Sequence, residues 1–139
     1  MSRYTQTLRP TASAEAIRQA LTTAQGIQGW WARQADIAPG VGGQHTLTFD
    51  KGDQTVVMRF RVDTIDAGRV RWTCTDNGNP VWPGTHLEWR IADNQIHFEH
   101  GGFADGTAGT PPHQMTVDTW PMLMASLQAF LETGVGQPW

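Results

Sequence analysis

Between His45 and His100 apolar and polar residues alternate in five successive runs, the period of half-buried β-strands. In "HTLTF" Leu47 and Phe49 share a face. In "TVVMRFRVDTI" Val56, Met58, Phe60 and Val62 point one way and Arg59, Arg61 and Asp63 the other. "RVRWTCT" sets Val70, Trp72 and Cys74 inward, "THLEWRI" sets Leu87, Trp89 and Ile91 inward, and "IHFEH" does the same for Ile96, Phe98 and His100. "KGD" and "DAG" read as turns, "DNGNPVWPG" as a loop carrying Trp82, and "ADNQ" as the tightest hairpin signal. With Asp93-Asn94 as that turn, Arg90 faces His97 and Glu88 faces Glu99. An earlier run, "RYTQTLR" around Tyr4, predicts a further strand that Pro10 ends.

Two stretches have helical spacing instead. Ile17, Ala20, Leu21 and Ala24 form one stripe over about 14–24, with Ser13 as N-cap and Glu15 in the first turn. "GIQGWWA" then breaks the pattern and predicts a short second helix or a turn. Near the end, Trp120, Leu123, Met124, Leu127, Phe130 and Leu131 follow the i, i+3, i+4, i+7 rule. Pro121 belongs in a first turn, so this helix is expected to start near 118, capped by Asp118 or Thr119, and to stop at Gly134 and Gly136.

Consecutive hairpins imply an antiparallel sheet, here of about six strands. Its single apolar face needs a cover, and the C-terminal helix is the only large one available. The predicted fold class is α+β: a curved sheet wrapped around one long helix, with two short helices after the first strand.

Composition narrows the function classes. The 139 residues fit a single domain, 1–139. One cysteine, Cys74, excludes an internal disulfide and suits a reducing, cytoplasmic setting. A net charge of −3 without a basic block gives little support for nucleic-acid binding. No apolar run of about 18 residues is present, so membrane insertion is not expected. The N-terminal "MSRYTQTLRP" lacks the apolar segment of a secretory leader. Seven tryptophans against one tyrosine is the unusual feature, because an indole is bulky and its N–H wants a partner.

The segments "IRQALTTAQGIQGWWA", "FRVDTIDAGRVRWTC", "GTHLEWRI" with "IHFEHGGF", and "LMASLQAFLETGVGQP" carry a family likeness. Together they resemble the START-like (SRPBCC) superfamily of helix-grip proteins, and within it the branch of the activator of heat-shock protein 90 ATPase homologue. The matching features are the Trp30–Trp31 pair after the first helix, the strand end from His100 to Phe103, and a last helix closing in Leu131 to Gly134. The resemblance implies the helix-grip fold and a chamber between sheet and helix. It implies little about chaperone binding, since the activator's second, N-terminal domain has no room in this chain.

Taken together, these readings give a candidate ligand-binding cavity lined by Trp30, Trp31, Phe49, Met58, Phe60, Trp72, Cys74, Trp82, Leu87, Trp89, Phe98, His100, Trp120, Met124 and Leu127. The expected partner is a small apolar molecule, lipid-like or aromatic, with no cofactor. A cyclase- or dehydratase-type enzyme using the same cavity is the alternative, and a chaperone-interaction module a further one. His100 is the one weak catalytic candidate, and an imidazole bonded to a backbone carbonyl or a Trp N–H is the plainer reading. No metal site is expected: His86, Glu88, His97 and Glu99 share an outer sheet face, where Arg90 can bridge diagonally to the carboxylates. Cys74 reads as structural, and "GVGG" at 40–43 is not a phosphate loop. Trp82 is a lid, an interface contact or a ring packed on the sheet end. The state, monomer or homodimer, is left open. If Trp72 lines a wetted chamber, its loss should cost little stability.

Overall fold

The computed structural model describes residues 3–139. Its elements run β1 (Tyr4–Leu8), α1 (Ala14–Thr22), α2 (Ala24–Trp30), β2 (Gln34–Ile37), β3 (Gln44–Lys51), β4 (Gln54–Asp66), β5 (Arg69–Asp76), β6 (His86–Ala92), β7 (Gln95–Gly101) and α3 (Pro111–Thr133). Seven antiparallel strands form one sheet in the order β1-β7-β6-β5-β4-β3-β2. The last strand in sequence thus pairs with the first, and the two short helices carry the chain to the opposite edge. Register shifts between Arg59 and Phe60 and between Val62 and Thr64 interrupt the β4–β5 ladder, and such irregularities bend a sheet. The concave face holds the alternating apolar residues, and α3 supplies Trp120, Leu123, Met124 and Leu127 against them. This is the helix-grip arrangement that the sequence predicts.

Local chemistry explains the turns. Asp93 and Asn94 both adopt left-handed backbone, with φ of 52° and 60°, which these two residue types tolerate better than most. The β6–β7 register that follows pairs Glu88 with Glu99 and Arg90 with His97. Ser13 caps α1 by accepting from the Ala16 amide at 3.1 Å. Thr23 ends α1 and starts α2, its hydroxyl accepting from the Gly26 amide at 2.9 Å.

Two features depart from the sequence reading. The sheet has a seventh strand, β2, whose residues "QADI" are alternately exposed and half-buried; a short edge strand of this kind leaves almost no apolar signal. The C-terminal helix starts at Pro111, not near 118. Pro111 and Pro112 fill its first turn, where a missing N–H is no loss, while exposed Pro121 sits inside the helix. There it denies the Val117 carbonyl its helical donor, and burial of Trp120, Leu123 and Met124 beside it holds the helix together. The short second helix lies where the sequence allows one, and its glycines are points of close approach. A Cβ on Gly26 would lie 2.6 Å from the Ala20 Cα, and one on Gly29 would lie 2.6 Å from the Phe130 Cζ. Gly26→Ala should therefore force α1 and α2 apart and cost about 1–3 kcal/mol, the usual range for overpacking, visible as a lower melting temperature.

The C-terminal tail is fastened to the α2–β2 junction. The Trp139 amide donates to the Trp31 carbonyl at 2.8 Å, and the Arg33 amide donates to the Trp139 carbonyl at 2.9 Å. Ser126 links the same region, donating to the Trp30 carbonyl and accepting from the Gln137 amide, each at 2.7 Å.

Candidate functional site

Of the fifteen residues proposed to line a cavity, fourteen are buried and Met58 is half-buried. They do not form one uniform wall. Trp30 turns towards α1 and donates its N–H to the Ala20 carbonyl at 2.8 Å. Phe49 lies at one end, its ring 6.1 Å from that of Trp139. Most of the remaining aromatic residues gather around two centres, His100 and Trp72.

The His100 centre is closed by hydrogen bonds. Trp120 Nε1 donates to His100 Nδ1 at 3.0 Å, which puts the ring proton on Nε2. Nε2 then donates to the Thr85 hydroxyl at 2.8 Å, and that hydroxyl donates to the Trp82 carbonyl. Trp82 is buried, stacks on Trp120 with ring centroids 5.6 Å apart, and donates its indole N–H to Thr116 at 2.8 Å. It is a packed ring over the sheet end. Burial, with smaller contributions from the positive charges of His86 and His113, pushes the His100 pKa down to about 3. The imidazole is neutral at pH 7 with both nitrogens in use, so it is poorly placed to exchange protons with a substrate.

The Trp72 centre is open in this sense. The His45 ring stacks on Trp72 at 4.6 Å, Trp89 meets it edge-on at 4.7 Å, Phe60 lies at 5.5 Å and Trp31 at 6.2 Å. Trp72 is fully buried and His45 is 1% exposed. Yet Trp31 Nε1, Trp72 Nε1, Trp89 Nε1 and His45 Nδ1 have no hydrogen-bond partner in the protein. Burial alone pushes the His45 pKa down to about 4, so this ring is also neutral at pH 7.

The other candidates resolve simply. Cys74 is buried, its thiol directed at the Asp76 carbonyl at 3.5 Å, and burial pushes its pKa up to about 12. The thiolate needed for nucleophilic chemistry is thus suppressed. Cys74 should resist iodoacetamide at pH 8 in the folded protein and alkylate readily in urea, as read by mass spectrometry.

On the outer face, Glu88 is 2% exposed and receives Arg71 at 3.0 Å and Arg90 at 2.7 Å, with Arg69 at 3.7 Å. Burial would raise its pKa, but the bonds from Arg71 and Arg90 outweigh that and hold it below the usual carboxylate value. Arg90 thus serves the carboxylate two residues back on its own strand, where a diagonal bridge was expected. The facing Glu99 takes His86 at 2.7 Å and Arg3 at 3.3 Å. Among the described residues no three His, Cys, Asp or Glu side chains converge as a metal site would need.

Two shallow surface hollows accompany this interior. One, of about 560 Å³, lies between Arg9–Ser13 and the Asp93–Gln95 turn. The other, of about 360 Å³, lies on β1, β7 and β6 and includes Glu88, Arg90 and His97.

Over 98% of this chain and all of the other, the structure is similar to the Aha1 dimer from Colwellia psychrerythraea, with a TM-score of 0.81 and 26% identity. The resemblance is to the START-like superfamily and its Aha1-like branch. The same fold appears in an AHSA1-like protein from Aeromonas hydrophila, TM-score 0.69 at 12% identity, covering 96% of this chain and 94% of that one. It appears again in a Staphylococcus saprophyticus protein, TM-score 0.73 at 13% identity, covering 99% and 98%. The sequence matches no family model and no curated protein.

Sequence reasoning overlooked His45, Thr85 and Thr116. His45 was legible, because it has the same parity as Leu47 and Phe49 on β3. Thr85 and Thr116 carry no such signal; their hydroxyls matter only because the fold brings them to His100 and Trp82.

Proposed function

We propose that this chain binds a small apolar molecule, lipid-like or aromatic, between the inner face of the sheet and α3, without acting on it chemically. The observation that carries this reading is the set of four buried, unpartnered nitrogens on contacting rings around Trp72. Buried polar groups in proteins are overwhelmingly hydrogen-bonded, and each unpartnered one costs about 1–3 kcal/mol. Four in one cluster fit a place where a guest completes the bonding better than they fit a solid core. Catalysis is the weaker reading, since His100 is saturated on both nitrogens.

The test is a thermal-shift and fluorescence screen with apolar aromatic compounds. Saturable binding of one molecule per chain should raise the melting temperature by several degrees at ~100-fold excess over Kd. Uniform failure of such compounds to bind would overturn the reading.

Self-association is a second property to measure, favoured by exposed Met115 and Met122 on the outer side of α3 and by the dimeric state of the Colwellia protein. Concentration-dependent sedimentation would show it, and a single monomeric species at high concentration would refute it. No helix among the described residues is long and apolar enough to cross a membrane. We propose a cytoplasmic location on the single cysteine, which suits a reducing compartment; a fluorescent fusion tests this.

A further inference from the structure

The seven tryptophans divide by what their N–H groups do. Trp30, Trp82 and Trp120 donate to acceptors within the protein, at 2.8, 2.8 and 3.0 Å. Trp139 is at the surface. Trp31, Trp72 and Trp89 are fully buried and donate to nothing in the protein, and Nδ1 of His45, stacked on Trp72, is likewise unpartnered. An indole nitrogen can only donate. The three indoles therefore offer donors only, and a guest that completes their bonding must supply an acceptor oxygen, while Nδ1 of neutral His45 donates or accepts according to its tautomer.

Charge limits what that oxygen can be. Among the described residues no lysine or arginine is buried. The arginines of β4 and β5 are partly exposed on the outer face, where Arg59 meets Asp76, Arg61 meets Asp63, and Arg69 and Arg71 meet Glu88. A carboxylate beside Trp72 would be a buried charge without a counter-ion, which is strongly unfavourable. A carbonyl oxygen accepts two hydrogen bonds and needs no cation. The surrounding walls are ring faces, which favour a flat aromatic body.

Resting on the binding reading above, we infer that the guest is a neutral, planar aromatic carbonyl compound whose oxygen accepts from indole N–H groups of the Trp31, Trp72 and Trp89 cluster. The site selects for the carbonyl as well as for apolar area.

Three probes built on one bicyclic frame test this: 1-indanone, indane and indane-2-carboxylate. Each is titrated into 15N-labelled protein while the indole N–H signals are followed, assigned through single Trp→Phe variants. Indanone should bind saturably and at least about tenfold more tightly than indane, since one good hydrogen bond is of that order. The signals of Trp31, Trp72 and Trp89 should move, and those of Trp30, Trp82 and Trp120 should stay. Trp72→Phe keeps a ring but removes the donor, and should erase most of the preference; Trp89→Phe serves if that variant does not fold. Equal binding of indanone and indane would overturn the carbonyl inference while leaving an apolar chamber. Tighter binding of the carboxylate would overturn the neutral-guest inference. Failure of all three would count against the chamber itself.

Discussion

Trp72→Ala should lower the unfolding free energy by about 3–5 kcal/mol, the range for removing a large packed aromatic side chain. Trp72 is fully buried and meets Trp31, His45, Phe60 and Trp89, so its loss leaves a hole bordered by rings that cannot easily collapse. The sequence reading placed this tryptophan on a wetted wall and expected a small loss. A fully buried ring in contact with four others gives the opposite expectation, whether it borders a guest or not. Trp72→Phe should cost much less, because it keeps the ring contacts and removes a donor that has no partner. Urea unfolding of both variants checks the pair. A loss under about 1 kcal/mol in Trp72→Ala would show that the residue was never packed as described.

Acid should destabilise the protein well before its carboxylates titrate. His45 and His100 have folded-state pKa values lowered to about 4 and about 3, chiefly by burial, from an ordinary value of 6.5. As pH falls below 6.5, the unfolded chain takes up two protons that the folded protein refuses. Stability therefore falls with pH, by about 1.4 kcal/mol per unit for each histidine. The loss continues until each folded-state value is reached. By about pH 4.5 the two should together remove on the order of 5 kcal/mol, a large part of a typical domain's stability. Glu88, whose folded pKa is depressed, adds its own loss only below the ordinary carboxylate value of 4.5. His100→Leu should separate the contributions. It deprives Trp120 of its acceptor and should cost about 1–3 kcal/mol at pH 7, while roughly halving the slope between pH 6.5 and 4.5. A flat profile in that window for the unmodified protein would contradict burial of both rings in the neutral form.

Most of the sheet was legible in the sequence because alternation reports burial directly. Phe60, Trp72, Trp89 and Phe98 sit on the inner face as their parity requires, and Asp93-Asn94 turns the chain as those residue types allow. β2 was not legible, because an edge strand with one half-buried face has little apolar pattern to show. The start of α3 was not legible, because Pro121 reads as a first-turn residue, whereas burial of Trp120 and Leu123 beside it carries the helix through that proline from Pro111. For the candidate site, the sequence could name the rings but not their hydrogen bonds. Whether an indole is satisfied depends on what lies opposite: Trp120 finds His100 and Trp82 finds Thr116, while Trp72 finds another ring. That difference divides packed core from candidate chamber, and it arises only when the strands are in register.

The claim that small molecules enter between sheet and α3, and not elsewhere, is tested most directly by a crystal structure of the protein saturated with naphthalene. The account predicts ordered density on the inner face beside Trp72, within contact of Trp31 and Trp89. Density confined to the hollow between Arg9–Ser13 and the Asp93–Gln95 turn, or to the outer face around Glu88 and His97, would contradict it.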